Sequence, residues 1–121
     1  GFGLAGHALE RARGAGRDGL LEWRAGPLLA GVGDLAAQGF ITGASARNWA
    51  SYGDEVALGE GLTAEDRALL TDPQTSGGLL VACAPEALAE VLAVFQHHGF
   101  AEAAVVGNVG EASAAPRLRV S

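Results

Sequence analysis

Apolar residues recur at helical spacing in several stretches of this chain and gather into short runs elsewhere. Leu4, Ala5, Ala8, Leu9 and Ala12 share one face of a helix predicted over Leu4 to Ala15. Glu10, Arg11 and Arg13 take the opposite side, and Gly14 and Gly16 end it. A short helix after Pro27 carries Leu35, Ala36 and Ala37 and stops at Gly39. Thr63-Ala64-Glu65-Asp66 has the form of a helix start, with threonine as N-cap and acids in the first turn. That helix runs to Leu70 and stops because Asp72 precedes a proline. Leu88, Val91, Leu92 and Phe95 define the last helical face, after Pro85 and before His97, His98 and Gly99.

Between these helices lie shorter runs. Gly19 to Arg24, Glu55 to Leu58, Leu79 to Cys83, Ala103 to Val109 and Arg117 to Val120 are the predicted strands, the last two separated by a Gly/Ser/Pro turn. Leu79-Leu80-Val81-Ala82-Cys83 has the composition of a buried strand. Phe40 to Gly53, rich in small and polar residues, is expected to be a long loop. Alternating strands and helices predict an α/β (α+β) fold with helices packed on a mixed sheet, in one domain over 1–121.

The chain has 121 residues, enough to bury roughly two-thirds of its unfolded surface. Eight basic residues against fourteen acidic ones give a net charge of −6, and lysine is absent, which argues against a nucleic-acid surface. No apolar run approaches the roughly 18 to 20 residues of a membrane span, and no secretory signal is visible, so a cytoplasmic location is expected. The single cysteine, Cys83, excludes an internal disulfide framework and is expected to be a buried, inert thiol.

The densest chemistry lies in Thr71-Asp72-Pro73-Gln74-Thr75-Ser76-Gly77-Gly78-Leu79-Leu80. Proline sets a turn, Gln, Thr and Ser supply side-chain donors, and the glycine pair lets a backbone approach closely. From the residues alone this is either a tight turn feeding a core strand or a rim facing a ligand. The decapeptide resembles a signature of the selenophosphate synthetases (selenide, water dikinases). Gly1-Phe2-Gly3-Leu4-Ala5-Gly6-His7 resembles the glycine-rich segment of that family, and Arg47-Asn48-Trp49-Ala50-Ser51-Tyr52-Gly53 resembles a third family stretch. The three stand in the family's order and at about its spacing, so the resemblance covers essentially the whole chain.

The resemblance implies the C-terminal domain of such an enzyme, within the aminoimidazole ribonucleotide synthetase superfamily. A chain starting at Gly1 is expected to be part of a longer protein. It implies a full-length enzyme that uses ATP, water, selenide and magnesium to make selenophosphate, releasing AMP and phosphate. The catalytic cysteine or selenocysteine, its lysine and the metal-binding aspartates of the family lie in the N-terminal half, one such acid just before the residue equivalent to Gly1. No catalytic or metal-binding residue is therefore expected here, nor any cofactor bound to this piece alone. The partners expected are that N-terminal domain, a second copy in a homodimer, and small-molecule substrates. The candidates for facing nucleotide or phosphate are Gly1, Gly3, Arg47, Asn48, Thr75, Ser76, Gly77 and Gly78.

Gly1 to Gly6 spells G-x-G-x-x-G, but a dinucleotide site also needs a preceding strand and a parallel βαβ unit. The favoured reading is a glycine turn into a helix N-terminus, where free N–H groups suit anions. Arg47 could reach a phosphate through its planar fork or simply close a surface loop. Trp49 and Tyr52 are expected to pack that loop down. His7 is expected to pack or hydrogen-bond, and His97 and His98 to sit at a helix C-terminus where a cation is favoured. With Cys83 they give no metal-ligand spacing. Ser45 and Ser76 have no histidine–acid partners for a triad, and Asp72 is expected to accept backbone N–H bonds in its turn. Another ATP-dependent enzyme of the same superfamily, a non-enzymatic binding module and a dinucleotide-binding domain remain the alternatives.

Overall fold

The sheet is built around its last strand. In the computed structural model, which describes residues 1–113 and 117–121, β4 (Leu118–Val120) lies between β1 (Asp18–Leu21) and β2 (Val56–Leu58) and runs parallel to both. On the far side of β1, β3 (Gly107–Gly110) pairs antiparallel, giving the order β2-β4-β1-β3. Leu118 is opposite both Gly19 and Val56, and Val120 is opposite Leu21 and Leu58. Leu118 and Val120 are buried while Arg119 between them is exposed, the alternation of a strand covered on one face.

The cover is α1 (Gly3–Ala15), which turns Ala5, Leu9 and Ala12 inward. Leu9, Leu21, Trp23, Tyr52, Val56, Leu70, Leu118 and Val120 then form one apolar cluster. Each fully buried aliphatic side chain contributes about 1.5–3 kcal/mol relative to exposure. Gly16 takes the left-handed conformation (φ 61°) at the end of α1, and its N–H reaches the carbonyls of Ala12 and Arg13.

The helix starting at Thr63 is α4 (Ala64–Leu70), and the sequence located its cap well. Thr63 Oγ1 accepts from the Asp66 N–H at 3.2 Å, and Asp66 Oδ2 accepts from the Thr63 N–H at 2.9 Å. Asp66 also accepts from Trp23 Nε1 at 2.7 Å, which ties the cap to the core. The mixed-sheet α/β expectation therefore holds, with five α-helices among the described residues.

Several element expectations are corrected. Phe40 to Gly53 is not a long loop: it holds α3 (Gly43–Tyr52), ten residues of helix that begin after Thr42. The second helix, α2 (Val32–Ala37), starts five residues beyond Pro27. The first strand ends at Leu21, and Trp23–Ala25 is a single tight 3₁₀ turn. Leu79 to Cys83 is neither a strand nor buried: it lies outside the sheet, and Leu79 is 83% exposed. Cys83 is consequently exposed, not a core thiol. Of Ala103 to Val109, only Gly107 onward is strand. The turn expected between the last two strands lies in part outside the described residues. The last helix, α5 (Leu88–His97), follows a 3₁₀ turn at Pro85–Ala87 and has no fully buried residue.

Candidate functional site

The three sequence stretches singled out above meet in space. Gly3 (φ 74°) is pressed against the end of α4, so a Cβ there would lie 2.5 Å from the carbonyl carbon of Thr71 and 2.7 Å from the Leu70 carbonyl oxygen. A Cβ on Gly1 would lie 3.0 Å from the Cα of Pro73. Glycine at these two positions therefore lets two main chains touch. Gly6 is filled in the same way by Phe2 and the Tyr52 ring. The G-x-G-x-x-G pattern thus serves contacts within the chain, which removes the close-approach argument for a dinucleotide.

The third stretch is the C-terminal half of α3 and the glycine that follows it. Asn48 Nδ2 donates to the carbonyl of Gly1 at 3.0 Å and to that of Thr71 at 2.8 Å. One turn on, the Tyr52 hydroxyl donates to the carbonyl of Phe2. Burial pushes the Tyr52 phenol pKa up, so it is a donor throughout the neutral range. One turn earlier, Ser45 Oγ donates to the Ala68 carbonyl at 3.0 Å. Thr71 adds its own hydroxyl to the Arg67 carbonyl at 2.8 Å. Side chains thus satisfy the carbonyls of Arg67, Ala68 and Thr71 at the end of α4, where threonine and not glycine is the cap.

Beyond this braced end the chain turns outward. The Gln74 N–H reaches the Asp72 carbonyl at 2.9 Å. The Asp72 carboxylate accepts from Thr42 Oγ1 at 3.2 Å, so its partner is a hydroxyl and not the backbone N–H expected from the turn. Thr75, Ser76, Gly77 and Gly78 form an exposed rim, and a Cβ on Gly78 would meet nothing within 4 Å. Two shallow grooves elsewhere hold about 110 and 260 Å³, less than the roughly 300 Å³ at which small-molecule pockets begin, and neither includes the rim. Among the described residues, no three His, Cys, Asp or Glu side chains come together as metal ligands. No helix among the described residues is long and apolar enough to cross a membrane.

The fold and the convergence of these stretches accord with a comparison against known families. Residues 1–117 match the family described as AIR synthase related protein, C-terminal domain. The chain belongs to that family. Among curated relatives of this AIR synthase related domain, the selenide, water dikinase of Burkholderia pseudomallei (strain K96243) is 60% identical over 114 residues, 94% of this chain and 32% of that protein. The selenide, water dikinase of Pseudomonas straminea is 57% identical over 109 residues, covering 90% of this chain and 30% of that protein. That of Rhizobium meliloti (strain 1021) is 49% identical over 114 residues, 94% and 33% respectively. The chain therefore spans about a third of the length of the curated relatives it matches.

Within this AIR synthase related domain the predicted site residues fall into two groups. Gly1, Gly3 and Asn48 lie at the junction of the three stretches, and Thr75 to Gly78 form the rim beyond it. Arg47 is exposed on α3, on an ordered helix instead of the flexible loop expected for it. Trp49 packs against the core, with the Arg67 guanidinium 5.3 Å from its ring centroid. His7 is exposed and bonded to Glu10 at 2.9 Å. The packing expected of Tyr52 holds, since its side chain is buried in the core cluster. The hydrogen bonds that Ser45 and Tyr52 make to main-chain carbonyls are not readable from the sequence. Their spacing with Asn48 (i, i+3, i+7) is a helical face, and it is hidden because that face is polar.

Proposed function

We propose that this chain is the C-terminal domain of a selenide, water dikinase, an ATP-dependent enzyme that converts selenide, ATP and water to selenophosphate, AMP and phosphate. In this reading 1–121 is one domain, and the Thr75–Gly78 rim faces the phosphate end of a nucleotide site whose reactive groups belong to the N-terminal part. Gly1, Gly3, Arg47 and Asn48 stand behind or beside that rim. The observation that carries the reading is the convergence of the three stretches on one junction, with the hydroxyls and glycines of the rim turned to the surface.

Phosphoryl transfer requires charge on the moving group to be neutralised by metal ions and oriented donors. The family's metal-binding acids are assigned to the N-terminal part, so this chain is given no step through the metal. What it can offer is hydroxyl and main-chain N–H donors on a rim held from behind. The enzyme is further proposed to be cytoplasmic and homodimeric.

The test is made in the full-length enzyme. Replacing Thr75 and Ser76 together with alanine is expected to lower kcat/KM for ATP by about ten-fold or more, the loss typical of removing oriented donors. Kinetics equal to wild type would leave the two as turn residues only. The 121-residue chain by itself is expected to show no selenide-dependent ATP consumption, and turnover by it would overturn the assignment.

A further inference from the structure

Ser45, Asn48 and Tyr52 form one stripe along α3, and all three spend their donors on main-chain carbonyls. The acceptors belong to two segments far apart in sequence. Ala68 and Thr71 lie at the end of α4, which leads into the rim, while Gly1 and Phe2 lie just ahead of α1. Ser45 serves the first segment and Tyr52 the second, but Asn48 serves both. A carboxamide nitrogen carries two N–H donors in one plane, so two carbonyls bound to it are held at a fixed separation. Nothing smaller than asparagine can bridge them in this way, and aspartate would set an acceptor against two acceptors.

We propose that Asn48 is a positioning residue for the phosphate site. It fixes the Gly1–Gly3 turn against Thr71 and so sets where the Thr75–Gly78 rim points, without touching the nucleotide itself. This rests on the reading that the rim faces phosphate, and it changes the part given to Asn48 within that reading. Gly3 is the complement of the same device: it removes the side chain that would hold the two main chains apart.

The test uses the full-length enzyme and the variants Asn48→Ala, Asn48→Asp and Asn48→Ser. A core variant, Leu118→Val, controls for loss of stability. Expected is a fall of about ten- to a hundred-fold in kcat/KM for ATP in the alanine and aspartate variants, the scale of a small misplacement of binding groups. KM for selenide should stay within about two-fold. Serine, whose hydroxyl stops one bond short of the asparagine nitrogen, should fall with alanine. Amide hydrogen exchange without nucleotide should quicken at 2–4 and 72–78 in the Asn48 variants and stay unchanged there in Leu118→Val. ATP kinetics equal to wild type in a folded Asn48→Ser and Asn48→Ala would overturn the proposal. So would a Leu118→Val enzyme that loses as much in kcat/KM for ATP at a comparable melting temperature. If the wild-type enzyme has no selenide-dependent ATP turnover, the functional reading fails, and unchanged exchange at 72–78 would then separately overturn the brace.

Discussion

At the scale of single residues, the firmest consequence concerns Gly3. Its positive φ is disfavoured for any L side chain, and the space a Cβ would need is occupied by main-chain atoms that cannot swing away. Gly3→Ala is therefore expected to destabilise by about 2–4 kcal/mol, combining left-handed strain with overpacking. Gly14 supplies the contrast: it lies within α1 with nothing within 4 Å of its Cβ position. Gly14→Ala should stabilise by about 0.5–1 kcal/mol. Urea melts of the two variants check the pair, and equal effects would mean that the Gly3–Thr71 contact is wrong. Asp66 gives a pH dependence. Burial raises its pKa, but the Thr63 N–H, the Trp23 indole and the Thr63 hydroxyl together pull it below the usual aspartate value of 3.8. A folded-state pKa lower than the unfolded one adds stability above that value, lost as the pH falls from there through the folded pKa. Asp66→Ala should cost about 2 kcal/mol at neutral pH, through the lost cap and an unpaired indole N–H. Its melting temperature should also fall less steeply than wild type below about pH 4.

At the scale of elements, what could be read from the sequence depended on what each element faces. The helices α1 and α4 were readable because α1 buries an apolar face and α4 opens with a threonine cap. The helix α3 was not, because its inward residues Ser45 and Asn48 are polar and satisfy carbonyls where an apolar stripe would normally pack. A run of Gly, Ala, Ser and Asn is then indistinguishable from a loop by periodicity. The opposite error befell Leu79 to Cys83: an apolar run that looks like a core strand is left outside the sheet. The contacts at the junction lay further out of reach, since Asn48 and Gly1 are 47 positions apart. The helical assignment of α3 can be checked directly at Ala50, which is exposed and inside the helix. Ala50→Gly should cost about 1 kcal/mol and Ala50→Pro about 3 kcal/mol or more, whereas a loop would tolerate both.

At the scale of the whole molecule, the distribution of apolar surface is uneven. One face of the sheet packs against α1, while Leu79, Val81, Val94 and Phe100 are exposed, and α5 buries none of its residues fully. Exposed apolar surface on this scale marks contact with something else or a liability to aggregate. Under the proposed function, the remaining two-thirds of the enzyme is available to cover part of it. That idea is separable from the internal packing of this chain by comparing Leu79→Ser with Leu118→Ala. In the 121-residue chain, Leu79→Ser should change stability by no more than about 0.5 kcal/mol, as for other surface positions. Leu118, 1% exposed at the centre of the sheet, should cost about 2–5 kcal/mol on truncation to alanine. Equal losses in the short chain would mean that 79–83 belongs to its core after all. If the rest of the enzyme docks on this segment, Leu79→Ser should become markedly more damaging in the full-length protein while the effect of Leu118→Ala stays the same. An unchanged Leu79→Ser in both backgrounds would place the docking surface elsewhere.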